Sequence, residues 1–113
     1  MKDSIIDHPR LISEIGLGDT AAAVVDYSKV RLSYLVCGLV RCIEERDAVE
    51  MTEYGAQLKL LASNLYAEPL NVLVDDILRL GSQRQFYESR ECLVDLLAIN
   101  KQLSSELSSL SSN

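Results

Sequence analysis

The stretch Met51-Thr-Glu-Tyr-Gly-Ala-Gln-Leu-Lys-Leu-Leu-Ala-Ser-Asn-Leu65 carries the most regular pattern in the chain. Its apolar residues Met51, Tyr54, Leu58, Leu61 and Leu65 recur at alternating spacings of three and four, which places them on one stripe of an α-helix. Asp47 stands before the stretch as an N-cap, with Glu50 three residues on, the spacing of a capping box. The sequence Ala67-Glu68-Pro69 ends it.

The same periodicity extends in both directions. A short first helix is expected over residues 5–15, with Pro9 tolerated in its opening turn and Gly16-Leu-Gly18 stopping it. Asp19 or Thr20 caps a second helix that runs to about Glu45, with Val25, Leu32, Leu35, Leu39 and Ile43 on its inner stripe. That helix has a second apolar row, including Val24, Tyr27, Tyr34, Val36 and Val40. Pro69 opens a fourth helix that buries Leu70, Leu73, Val74 and Ile77, and Gly81 reads as its terminator. A fifth helix places Phe86, Leu93, Leu96, Leu97, Leu103, Leu107 and Leu110 inside, together with Asn100. Residues 111–113 are expected to fray. Four long helices with short breaks predict an all-α fold, an antiparallel up-down four-helix bundle with a short additional N-terminal helix, forming one domain over residues 1–113.

Composition agrees. The chain has 113 residues, 48% hydrophobic and 25% charged, which suits one folded domain. Two Pro, five Gly, five Tyr and one Phe are too few for a β-sandwich punctuated by turns. The net charge of −6 argues against nucleic acid or an anionic membrane as a partner. The residues before Pro9 include Lys2, Asp3 and Asp7, a pattern unlike a signal peptide. The most apolar run, residues 32–43, contains Arg41 and is too short to span a bilayer. Cys37, Cys42 and Cys92 have neither an even count nor a metal-binding spacing, which points to free thiols in the cytoplasm. The one histidine, His8, precedes a proline near the chain start and reads as a surface or capping residue. No nucleophile–base pair, metal cluster or phosphate-binding loop emerges, so the expectation is a protein that is not an enzyme and has no cofactor.

The segment Tyr54-Gly-Ala-Gln-Leu-Lys-Leu-Leu-Ala-Ser-Asn-Leu-Tyr-Ala67 resembles the signature helix of histidine-containing phosphotransfer (HPt) domains, roughly Ala-His-x-Leu-Lys-Gly-Ser-Ser-x-Asn-Leu-Gly-Ala. Leu58 and Lys59 match the Leu-Lys pair, and Asn64, Leu65 and Ala67 match the end of the pattern. Residues 44–47 resemble the acidic turn before the signature helix and residues 80–83 the turn before the last helix, so the resemblance spans the chain in helix order and length. The departures fall at the chemical centre. The acceptor histidine is replaced by Ala56, the glycine four residues later by Leu60, and the following serine pair by Leu61 and Ala62. The resemblance therefore implies a degenerate member that has lost phosphotransfer.

On a helix Ala56 lies about 160° from Leu58 and Leu60 about 200° from it, so both point away from the stripe. They form a small apolar outer patch, extended by Ser63, Asn64 and Ala67 and flanked by Lys59. The resemblance implies that Ala56, Lys59, Leu60, Ser63 and Asn64 contact a protein partner, a receiver domain or a histidine kinase of a two-component phosphorelay. Lys59 would stay available to a receiver's acidic pocket. The alternative is a small helical anti-activator or adaptor that binds a transcription factor or other protein through an apolar helix face. The nearly all-round apolar second helix also suggests a homodimer, unless the first helix covers its spare face.

Overall fold

The computed structural model describes residues 4–16 and 18–111, and all of its regular structure is helical. The described residues form six helices: α1 (His8–Ile15), α2 (Asp19–Glu45), α3 (Ala48–Asn64), α4 (Glu68–Ser82), α5 (Phe86–Glu91) and α6 (Leu93–Ser111). Residues 1–3, part of the start that is unlike a signal peptide, and residues 112 and 113, expected to fray, lie outside the described residues. Ser111 is the last residue of α6.

The helix starts follow the side chains available to cap them. The Asp7 carboxylate accepts from the Arg10 amide at 3.3 Å, so α1 begins at His8 and not at Ile5. Asp47 accepts from the Glu50 amide at 3.0 Å, as the capping pattern predicts for α3. Neither Asp19 nor Thr20 caps α2. Gly18, with φ of 111°, is the cap residue, and Asp19 sits in the first turn, where its charge favours the positive end of the helix dipole.

Three helix ends close in a way that the sequence does not announce. Arg46, Tyr66 and Arg84 take left-handed backbone conformations after α2, α3 and α4, with φ of 57°, 54° and 55°. In each case the next amide reaches back five residues: Asp47 to the Cys42 carbonyl, Ala67 to Ala62 and Gln85 to Leu80, at 2.8–2.9 Å. These are Schellman closures built without glycine. Gly81 is thus not a terminator. It is buried inside α4, where an added methyl would lie 2.6 Å from Cε of Met51.

The expected fifth helix is two. The break falls at Cys92, whose amide bonds the Ser89 carbonyl three residues back at 3.1 Å. Ser89 is fully buried, and its hydroxyl donates to the Gln85 carbonyl at 3.0 Å, the type of back-bonding that bends helices.

α3 packs against α2 and α4, and α6 packs against α2 and α4. Between α3 and α4 the neighbours run in opposite senses: Met51 meets Gly81, Gly55 meets Leu78, Lys59 meets Asp75 and Ser63 meets Asn71. The α2 stripe of Val25, Leu32, Leu35, Leu39 and Ile43 is buried as expected, joined by Val36 and Cys42. The α3 stripe is rotated from the expected one. Its buried line is Met51, Gly55, Leu58, Ala62 and Leu65, while Tyr54 and Leu61 pack at its edges. Small residues at 55 and 62 let neighbouring backbones come close, which large apolar residues would prevent. On α6, Leu96, Leu103 and Leu107 are fully buried but Leu97 is 52% exposed, with Ile99 packing at the core edge.

Candidate functional site

The site rests on the side of α3 that turns away from the core. Ala56 and Leu60 lie one turn apart and are both exposed, Leu60 by 64%. Asn64 continues the ridge one turn further, also exposed. The ridge is thus a methyl, an isobutyl group and a carboxamide in a row, with Glu53 exposed at its start.

Two further residues lean from this ridge toward α4. Lys59 is half-buried, and its ammonium forms an ion pair with Asp75. It is therefore not held free for a partner, although both side chains remain solvent-accessible and such a pair is cheap to exchange. Ser63 is exposed, and its Oγ accepts from Nδ2 of Asn71 at 2.9 Å. The other end of that amide, Oδ1 of Asn71, is buried without a hydrogen-bond partner. Ala67, expected to extend the patch, does not: it is fully buried and caps α4.

On the α2 side the ridge is walled by side chains that hold one another. Gln57 accepts from the Arg31 guanidinium. The Tyr54 hydroxyl accepts from Nη2 of Arg41 at 2.9 Å, a bond that pushes the Arg41 pKa up. The Tyr54 ring lies over Gly38, where any side chain would overlap it, and tilts against Tyr34 with centroids 5.9 Å apart. The ridge thus stands on a braced helix with fixed neighbours on both sides.

Chemically the ridge offers contact area and hydrogen bonds. A methyl group at position 56 has no lone pair with which to attack phosphorus. Burial raises the thiol pKa of Cys42 and Cys92, which keeps them protonated and inert. Among the described residues no group of three or more His, Cys, Asp or Glu side chains is placed to hold a metal ion. No described helix is long and apolar enough to cross a membrane.

Two features lie away from the ridge, the first without any mark in the sequence and the second foreseen in part. The first is a carboxylate hub at the end of the molecule where α3 and α6 finish. Glu106 accepts from the amides of Ile5 and Ile6 at 2.8 and 3.1 Å and from Gln102 at 3.1 Å, and its Oε1 lies 2.9 Å from Nε2 of His8. Burial works against the charge, yet these donors hold the carboxyl below its ordinary range. His8 is a half-buried partner in this hub rather than a surface residue. The second is the outer face of α2. Val36 is buried and Val40 half-buried, so the second apolar row consists instead of Tyr27, Val30 and Tyr34, exposed by 62%, 73% and 57%. Tyr27 and Tyr34 are expected on this row, and Val30, which is not, lies three residues after one and four before the other. No protein-family model, curated protein or solved structure matches this chain.

Proposed function

We propose that the chain is an HPt-like binding module of a two-component phosphorelay that docks a receiver domain or a histidine kinase in the cytoplasm and transfers no phosphate. In this reading α2, α3, α4 and the α5–α6 pair make an antiparallel up-down four-helix bundle, and α1 is the additional N-terminal helix. The partner sits on Ala56, Leu60 and Asn64, with Ser63 and Lys59 at its α4 edge.

The observation that carries the reading is the ridge itself. The position that aligns with the family's phosphoacceptor is solvent-facing, as an acceptor must be, but it holds a methyl group. One turn on, where the family has a glycine, Leu60 stands 64% exposed in the middle of α3, where Met51, Tyr54, Leu58 and Leu61 are buried or half-buried; Val49, in the first turn, is the other exposed large apolar residue of the helix. An exposed leucine on a braced helix gains about 1.5–3 kcal/mol when a partner covers it fully. The module would act by occupying a surface that a phosphotransfer domain otherwise uses.

The test is a binding titration against receiver domains and histidine kinases encoded in the same genome. At least one is expected to bind, and Leu60→Asp is expected to abolish that binding while the fold stays intact. Absence of binding to every receiver and kinase would overturn the reading and leave the anti-activator alternative.

A further inference from the structure

We infer that the outer face of α2 is a two-fold interface on which a second copy of this chain docks, with the two α2 helices side by side and parallel. The inference rests on α2 alone and is independent of the phosphorelay reading.

The face is a regular seam. Ala23, Tyr27, Val30, Tyr34, Cys37 and Arg41 are all exposed and follow one another at spacings of four, three, four, three and four. That is the a/d pattern of a coiled coil, with Tyr27, Tyr34 and Arg41 at a and Ala23, Val30 and Cys37 at d. Any outward line on a helix has this spacing. What distinguishes this one is that five of its six residues are apolar or aromatic in a chain of net charge −6. The seam runs for about 27 Å at 1.5 Å per residue. A shallow depression of about 580 Å³ along its middle is lined by Asp26, Tyr27, Val30, Arg31 and Tyr34. α1 packs against α2 but leaves Val30 73% exposed, so it does not cover this face.

The charges beside the seam select the occupant and its direction. Asp26 falls at g and Arg31 at e, five residues apart. In a parallel pair, g of one helix meets e of the other five residues on, so Asp26 reaches Arg31 of the second copy, and the two-fold axis repeats the contact. An antiparallel pair sets g beside g and e beside e. The other g positions, Asp19, Ser33 and Val40, offer Asp26 no base, and among the other e positions, Val24, Gly38 and Glu45, Arg31 meets Glu45 only if the pair is centred on residue 38, six residues beyond the middle of the seam. Arg31 lies beside the seam, 5.6 Å from the Tyr34 ring, and donates to Gln57 of α3. The seam is therefore complementary to itself in one orientation.

Analytical ultracentrifugation of the full chain at physiological salt tests the association, and cross-linking tests its geometry. A dimer is expected. Val30→Glu is expected to raise its dissociation constant at least about tenfold, which is about 1.4 kcal/mol, with the helical circular dichroism retained. Asp26→Arg is expected to weaken the dimer, and adding Arg31→Asp to restore it. A short bis-maleimide is expected to join Cys37 to Cys37, since d positions face each other across a parallel axis. In an antiparallel pair centred on the seam the two thiols would sit about 15 Å apart along the axis. Leu60→Asp is expected to leave the dimer unchanged, which separates this surface from the α3 ridge. A monomer at all attainable concentrations, a dimer indifferent to Val30→Glu, a dimer lost with Leu60→Asp, or a dimer without the Cys37 cross-link would each overturn the inference.

Discussion

Oε1 of Glu106 lies 2.9 Å from Nε2 of His8, ninety-eight residues earlier in the chain, and the same carboxylate accepts the amides of Ile5 and Ile6. One side chain near the end of α6 thereby fixes the segment before α1. The folded-state pKa of Glu106 is lowered, so its contribution is present above the ordinary glutamate range and is lost as pH falls through the folded value. Glu106→Gln keeps the shape but not the charge, and is expected to cost about 1–3 kcal/mol at neutral pH. The difference from the parent should shrink as pH falls below the ordinary glutamate range, and disappear once it passes the lower folded-state value, where the parent carboxyl is itself protonated. Thermal melts of both proteins across that range check this, and an equal deficit at every pH would contradict it.

Gly55 and Gly81 both face the contact between α3 and α4, but with different neighbours. A methyl at position 55 would press on the branched end of Leu78, with Cγ at 2.9 Å. At position 81 it would meet only the flexible tip of Met51. Alanine favours a helix interior over glycine by about 1 kcal/mol. Gly81→Ala is therefore expected to be neutral or stabilising, and Gly55→Ala to destabilise by about 1–3 kcal/mol through overpacking. Urea unfolding of the two variants gives the order, and a stabilised Gly55→Ala would show that α4 can move away.

The helix content, the α2 stripe, the Asp47 cap and the exposure of Ala56 and Leu60 were all legible in the sequence, because each follows from spacing along one helix. The rotation of the α3 stripe was not. Tyr54 and Leu61 are large and apolar and claim the core by composition, but Gly55 and Ala62 take it because only small residues fit where helices approach closely. The pairing of Lys59 with Asp75 and of His8 with Glu106 depends on distant elements meeting, which no local pattern encodes. Turns were read from Gly and Pro, so the closures at Arg46, Tyr66 and Arg84 left no mark.

Arg84 offers a direct check of those closures. It holds φ of 55° at the end of α4, a conformation that costs a residue with a side chain about 1–2 kcal/mol and glycine little. Glycine also loosens the unfolded chain, which offsets part of the gain. Arg84→Gly is expected to stabilise the protein by about 0.5–1 kcal/mol, read as a higher midpoint in chemical unfolding. A loss of stability would mean that the Arg84 side chain supports the turn.

The exposed ridge also predicts how phosphotransfer could be installed. Ala56→His puts an imidazole at a solvent-facing position, but Leu60 stands one turn away on the same ridge and crowds an approaching domain. The single variant is expected to accept little or no phosphate from a phosphorylated receiver. Ala56→His with Leu60→Gly is expected to accept more, at a cost of about 1 kcal/mol in helix stability. Radiolabel transfer measured on both variants decides whether Leu60 is the obstacle, and equal labelling would show that it is not.

The sharpest separation of the proposed docking face from the core compares Leu60 with Leu58, two residues apart on α3. Leu60 is 64% exposed and Leu58 is 0% exposed. An aspartate at 60 meets water, and surface substitutions of this type change stability by no more than about 0.5 kcal/mol. An aspartate at 58 places an unpaired carboxylate among packed side chains, which a domain of ordinary stability does not survive. Leu58→Asp is therefore expected to unfold the chain. Leu60→Asp should melt with the parent and lose the partner, because the contact that excluded water would then have to bury a charge. Leu61, half-buried at the edge of the stripe, should fall between them when replaced by aspartate. Circular dichroism melts and a binding titration on the three variants give the order. If Leu60→Asp melts with the parent and still binds, the partner does not sit on the α3 ridge.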